Sequence, residues 1–165
     1  MAATTLSAAT GPVLFKDIAG AMTITVHPSD HDDPKHMPVL YYQGTWVLMP
    51  HLPGIVSIQR SFVPRRGDVV LASPPKCGTT WLKALAFATM ARGGYPPTRA
   101  DEHPLARLNP HDCVPFMEML FADGEGMGKM DALPSPRHMA THMHHSILPA
   151  SIKDSADCKI IYICR

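Results

Sequence analysis

The sequence predicts an α/β fold in which a parallel sheet is flanked by helices and organised around a phosphate-binding strand, loop and helix. Three observations carry that expectation. Asp68 to Ser73 (DVVLAS) is a short apolar run of strand length with turn residues on both sides. It leads through Pro74-Pro75-Lys76-Cys77-Gly78 into Thr80 to Arg92, which has the length and apolar content of a helix. Ile160 to Cys164 is a second compact β-rich run, read as a central parallel strand. Two strands with a helix-containing crossover imply a parallel sheet, and ligands of such sheets bind beyond the strand carboxyl ends.

Taken in order, residues 1 to about 37 read as a flexible tail, with His27 to Pro34 polar and bounded by prolines. Residues 38 to 165 form the ordered unit. Tyr41 to Pro50 reads as a strand or short turn, and Gly54 to Phe62 as a short helix entering the Pro64-Arg65-Arg66-Gly67 turn. Within the Thr80 to Arg92 helix, Leu82, Leu85, Ala86 and Met90 make one stripe that Trp81, Phe87 and Ala88 widen, so the helix is expected to be buried against the sheet. Gly93-Gly94 stops it, and Tyr95-Pro96-Pro97 prevents continuation. Residues 95 to 139 read as long binding loops containing one short helix, Pro115 to Phe121.

Composition excludes several classes. With Lys+Arg 15 against Asp+Glu 14 there is no basic footprint for nucleic acid. No apolar run approaches the roughly 20 residues that cross a bilayer, so no membrane partner is expected. The 4 cysteines form no Cys-x-x-Cys pair, which suits a reducing, cytoplasmic setting. The first residues have no basic n-region and no long apolar core, against a secretory signal.

The loop is built for an anion. A helix that starts after a strand leaves backbone N–H groups unpaired at the positive end of its dipole. Gly78 lets an oxyanion approach the backbone, the hydroxyls of Thr79 and Thr80 add donors, and Lys76 places a cation beside them. Lys76 otherwise reads as a solvated loop charge, and Trp81 as either a core residue or a stacking platform. Cys77 would contribute its backbone N–H. In the common nucleotide loop the lysine follows the last glycine; here it precedes Gly78, which argues against an ATPase or kinase of the usual kind.

PPKCGTTWLKAL closely resembles the 5′-phosphosulfate loop of the cytosolic sulfotransferases, in the form found in plant members. The likeness also takes in Tyr42-Gln43-Gly44 with Trp46, Asn109-Pro110-His111-Asp112, Val114-Pro115-Phe116, Ala140-Thr141-His142, Ser146 to Pro149, and Lys159 to Arg165. It covers about residues 40 to 165 in family order, corresponding to the family's first half. The resemblance implies a P-loop NTPase-like sulfotransferase fold, present here as its N-terminal portion. It implies transfer of a sulfuryl group from 3′-phosphoadenosine 5′-phosphosulfate (PAPS) to a hydroxyl of a small metabolite of flavonoid, steroid or hydroxy acid type, without a metal.

By the same resemblance the donor's 5′-phosphate would sit on Lys76, Cys77, Gly78, Thr79 and Thr80, with Trp81 on the adenine and Arg165 on the 3′-phosphate. Lys76 would neutralise the bridging oxygen as the phosphosulfate bond breaks. Phe116, Met117, His144 and His145 are candidate acceptor-pocket residues. The family's later serine, its distal Arg-Lys-Gly segment and its dimerisation motif do not occur in these residues. The expectation is therefore that the 165-residue piece alone is inactive, a non-catalytic nucleotide-binding protein being the first alternative and a phosphate-loop kinase the second.

His142 carries the second chemical argument. Sulfuryl transfer to a hydroxyl needs a base, and an imidazole accepts a proton near neutral pH. By spacing alone a lone histidine is a surface or packing residue; the resemblance makes His142 the catalytic base. His144 and His145 stand where many plant members have Pro and Tyr. With His138 and His142 they form a cluster that could be taken for a zinc site, but little helical periodicity and no interleaved cysteine or carboxylate favour a histidine-rich loop beside a pocket.

Overall fold

The computed structural model describes residues 37–164; the expected tail, residues 1 to 37, lies outside the described residues except for Met37, and so does Arg165. An antiparallel hairpin comes first, β1 (Val39–Tyr42) and β2 (Thr45–Leu48). Its two-residue turn, Gln43-Gly44, has φ of 47° and 84°, the doubly left-handed geometry that matches strand twist. A 3-10 turn, Met49–His51, then leads into α1 (Leu52–Ser61), which has a proline in its first turn and buries Leu52, Ile55, Val56 and Ile58.

The centre is a three-stranded parallel sheet in the order β4 (His138–Thr141), β3 (Val69–Ala72), β5 (Lys159–Tyr162). All four residues of β3 are buried, as a strand covered on both faces requires. Val70 and Ala72 join the larger core, where Met139, Met117 and Phe121 meet α1. Val69 and Leu71 face the other way, against Ala86, Val114 and Ala140. Alternation on the pleat thus splits one apolar run between two cores. Full burial of a side chain such as Leu71 contributes roughly 1.5–3 kcal/mol.

Two fixed points hold β4 beside β3. Arg137, immediately before β4, places Nη2 2.6 Å from Asp68 Oδ2 and Nε 3.0 Å from Oδ1, with both side chains fully buried. Arg137 Nη2 also donates to the Val63 carbonyl at 3.0 Å. Burial by itself works to raise the Asp68 carboxyl. The bonds from Arg137 and from the Arg65 N–H outweigh it and hold the carboxyl below its ordinary range. At the other end, Ser73 N–H donates to the Thr141 carbonyl at 3.0 Å, so the chain leaves β3 and β4 side by side.

The phosphate-loop helix is α2 (Thr79–Met90). Between it and β4 lie α3 (Pro110–Cys113), α4 (Met117–Leu120) and α5 (Gly126–Asp131), with α6 (Ala150–Lys153) before β5. Gly54 is where α1 crosses the α4 segment: a Cβ there would lie 1.9 Å from the Glu118 carbonyl oxygen.

Three expectations need correction. β5 is at an edge of the described sheet and β3 is central, because pairing order is set by crossovers rather than by how apolar a run is. Residues 95 to 139 hold several short helices and the start of β4, which HMAT does not announce. The buried face of α2 is Thr79, Lys83 and Ala86, while Leu85 is 58% and Trp81 77% exposed.

Candidate functional site

The loop after β3 begins with Cys77 N–H donating to the Pro74 carbonyl at 3.2 Å. Lys76 is exposed and adopts φ 65°, a left-handed conformation for a non-glycine residue that costs on the order of 1–3 kcal/mol and concentrates at functional sites. Gly78 is the N-cap of α2 at φ 95°, and a Cβ built there would meet nothing within 4 Å. Conformation, not crowding by the protein, demands the glycine, and the space above it is open. No side chain caps the helix and its first turn carries no acid. Unpaired N–H groups and the positive end of the helix dipole face open space, a setting that favours an anion, and exposed Lys76 lies two residues before the N-cap.

The two threonines differ. Thr79 is buried and its hydroxyl lies 2.6 Å from Ser73 Oγ, so it braces the loop on the strand end. Thr80 is exposed, 3.3 Å from His111 Nε2. Trp81 stands in solvent, which excludes the core reading. Cys77 is partly buried, and its thiol is free.

His142 follows β4 directly. Its Nδ1 is 2.7 Å from the Ser73 carbonyl oxygen; a carbonyl only accepts, so Nδ1 carries the proton and Nε2 keeps its lone pair. Glu118 holds the backbone in place. One oxygen, Oε1, accepts from the Thr141 hydroxyl at 2.7 Å and from the His142 N–H at 2.6 Å, while Thr141 Oγ1 accepts from the Met143 N–H at 3.0 Å. Glu118 is 1% exposed, and its Oε2 is buried without a hydrogen-bond partner among the described residues. Burial lowers the His142 pKa; the Ser73 carbonyl and Glu118 oppose the shift, and His51 and Lys83 add to it.

Around the imidazole, the Phe116 ring lies 4.5 Å away, tilted, and the His51 ring 5.8 Å away, nearly parallel. His142 and His51 open onto a cavity of about 250 Å³ lined also by Trp46, Leu48, Ile55 and Pro75. A larger hollow of about 390 Å³, near Gln59 and Lys153, includes neither the loop nor His142. The smaller one is the candidate acceptor space because it holds a base.

Of the pocket residues expected from sequence, Phe116 touches His142, whereas Met117 is fully buried in the larger core. His144 and His145 are exposed and meet the edge of Tyr162 at 6.1 and 6.0 Å. Among the described residues no group of three His, Cys, Asp or Glu could hold a metal ion. Sequence reasoning did not single out His51, Lys83, His111 or Glu118. His111 lay within the Asn109-Pro110-His111-Asp112 motif and Lys83 was a charge within an otherwise apolar helix, whereas His51 and Glu118 carried no such signal.

Lys83 is fully buried, with Nζ 3.0 Å from His111 Nδ1 and 3.5 Å from the Phe116 ring centroid. Burial lowers its pKa to about 8, with Glu118 partly opposing, so at neutral pH it remains mainly an ammonium.

The parallel sheet carries the glycine loop beyond β3 and His142 beyond β4, an α/β fold with its candidate site at the strand carboxyl ends. The chain belongs to the sulfotransferase family: the model of the sulfotransferase domain matches residues 66–165. It is 44% identical over 124 residues to cytosolic sulfotransferase 12 of Arabidopsis thaliana, covering 75% of this chain and 37% of that protein. Against cytosolic sulfotransferase 5 of the same plant the identity is 41% over 139 residues, covering 84% and 42%. The fold matches the crystal structure of an Arabidopsis thaliana sulphotransferase with a TM-score of 0.70 at 33% identity, over 94% of this chain and 54% of that one. The chain thus spans about two fifths of the length of these curated relatives.

Proposed function

We propose that the residues described here form the sulfuryl-transfer half-site of a PAPS-dependent sulfotransferase acting on a hydroxyl of a small metabolite in the cytoplasm. The observation that carries this reading is the bond from His142 Nδ1 to the Ser73 carbonyl. It leaves Nε2 free as a base at the mouth of an apolar cavity, next to a loop suited to a phosphate.

Lys76 and the backbone N–H groups at the start of α2 would hold the donor's 5′-phosphate, with exposed Trp81 available to the adenine. The bound donor supplies an electrophilic sulfur. His142 Nε2 takes the acceptor's hydroxyl proton as the new oxygen–sulfur bond forms. Lys76 stabilises the charge left on the bridging oxygen as the old oxygen–sulfur bond breaks. Trp46, Leu48 and Ile55 favour an acceptor with an apolar body. Positioning and electrostatics supply the rate enhancement, as in phosphoryl transfer.

The test is a full-length version of the chain assayed with PAPS and a panel of phenols, steroids and hydroxy acids, beside its His142→Ala variant. Turnover by the parent, with loss of turnover and nearly unchanged binding of adenosine 3′,5′-bisphosphate in the variant, is expected. Retention of most of kcat by the variant would remove His142 from the mechanism. Tight binding of ATP with magnesium, and none of the bisphosphate, would point to a kinase instead.

A further inference from the structure

Lys83 and His111, to which the transfer chemistry gives no role, form a polar chain with Thr80. An ammonium can only donate, so His111 Nδ1, 3.0 Å from Lys83 Nζ, must accept. A neutral imidazole accepting at Nδ1 carries its proton on Nε2. That nitrogen, 3.3 Å from Thr80 Oγ1, must therefore donate to the hydroxyl oxygen. With one lone pair of Oγ1 occupied by His111, the Thr80 proton points away from the imidazole.

The placement of the three residues supports a built arrangement. Thr80 and Lys83 are i and i+3 on α2, so they share one side of the helix start. His111 is set by its own helix: Asn109 caps α3 by accepting from the His111 N–H at 3.0 Å, within a capping box completed by Asp112. The imidazole also stacks on Phe116, at 5.6 Å and 16° between planes, the ring over which the Lys83 ammonium sits. A fully buried ammonium is costly unless it is paired and hydrogen-bonded, and His111 Nδ1 is the acceptor within reach of Lys83 Nζ.

We propose that Lys83 and His111 are positioning residues that orient the Thr80 hydroxyl as a donor toward an oxyanion held at the start of α2. This rests on the reading of the loop as the donor's 5′-phosphate site. Neither residue touches the donor; both act through Thr80.

The experiment has two arms. Titration of the full-length protein with adenosine 3′,5′-bisphosphate is compared for the parent, Thr80→Val, His111→Ala and the double variant. Each single change is expected to weaken binding roughly three- to tenfold, and the double variant no more than the worse single one. Multiplying losses would show that His111 does not act through Thr80 and would overturn the proposal. Lys83→Met replaces the ammonium by an apolar side chain of similar length, which a buried position accepts; it is expected to lose the same factor, and unchanged affinity would count against the chain of donors.

The second arm uses the parent protein without ligand. The 15N shifts of the His111 ring are expected to report the Nε2–H tautomer, and an Nδ1–H tautomer overturns the proposal whatever the protein binds. If the parent fails to bind the bisphosphate, the donor assignment falls while the tautomer still decides the orientation.

Discussion

His142 Nδ1 donates to the carbonyl oxygen of Ser73 at 2.7 Å, tying the first residue after β4 to the first residue after β3. The parallel register makes this possible, because Ala72 is paired with Thr141 and both chains leave the sheet at the same level. One bond therefore sets the tautomer of His142, the proposed base, and holds it beside the loop that begins at Pro74. A histidine on a free loop would lose that orientation as often as it found it.

The pH dependence follows from the environment of this imidazole. Burial, together with the charges of His51 and Lys83, lowers its pKa against the opposing Ser73 carbonyl and Glu118. A base works when deprotonated, so kcat/KM of the full-length enzyme is expected to rise with pH and level off below the ordinary histidine range. A pH–rate profile checks it; a plateau reached only above that range would count against His142 as the titrating base.

Lys76→Ala is expected to reduce kcat more than it weakens bisphosphate binding. A charge-assisted hydrogen bond contributes roughly 1.5–3 kcal/mol, and the charge on the leaving oxygen grows toward the transition state. Alanine also keeps the left-handed backbone penalty at this position, φ 65°, so stability should hardly change. Steady-state kinetics beside calorimetric titration separates the two, and equal losses would make Lys76 a uniform binding residue.

Glu118→Ala leaves the buried Thr141 hydroxyl and the His142 N–H without their shared acceptor. Each unpaired donor costs roughly 1–3 kcal/mol, so denaturant unfolding should show a clear loss. Glu118→Gln keeps a carbonyl oxygen for both donors and is expected to lose much less. Equal destabilisation by the two variants would mean that charge, and not the shared acceptor, is what the site needs.

Arg137→Ala strands the Asp68 carboxyl in a fully buried setting and is expected to destabilise by about 3–5 kcal/mol. The folded Asp68 pKa is lowered because the bonds from Arg137 and the Arg65 N–H outweigh burial. Its contribution is complete above the unfolded aspartate value and is lost as pH falls through the folded one. Thermal unfolding across the acid range should therefore drop more steeply for the parent than for the variant, and matching slopes would exclude this pair as a source of acid sensitivity.

Much of the loop was legible in the sequence. Asp68 to Ser73 reads as a strand from its length and flanking turn residues, Gly78 as a point where an oxyanion can approach the backbone, and the helix start after it as a source of unpaired N–H groups; the structure adds that Gly78 is left-handed. These are local properties, fixed by side-chain shape and backbone sterics within a few residues. The hairpin was half legible, since Gln43-Gly44 announces its turn but not its pairing. Helix periodicity names a stripe without saying which neighbour covers it, so it leaves Trp81 open between core and surface; in the structure Ala86 joins Val69 and Leu71 in one core, while Lys83 is covered by His111 and Phe116.

The sequence by itself determined the first parallel strand, the glycine loop and the helix start that follows it, because these are set by consecutive residues. Only the tertiary structure decided which groups surround that helix start and His142. β4 becomes a strand through its pairing with β3, and Glu118, His111, His51 and Lys83 reach the site from four separate segments. Their roles depend on distances across the fold, which hydrogen bonding and burial fix only once the chain has folded and which no spacing along the chain encodes.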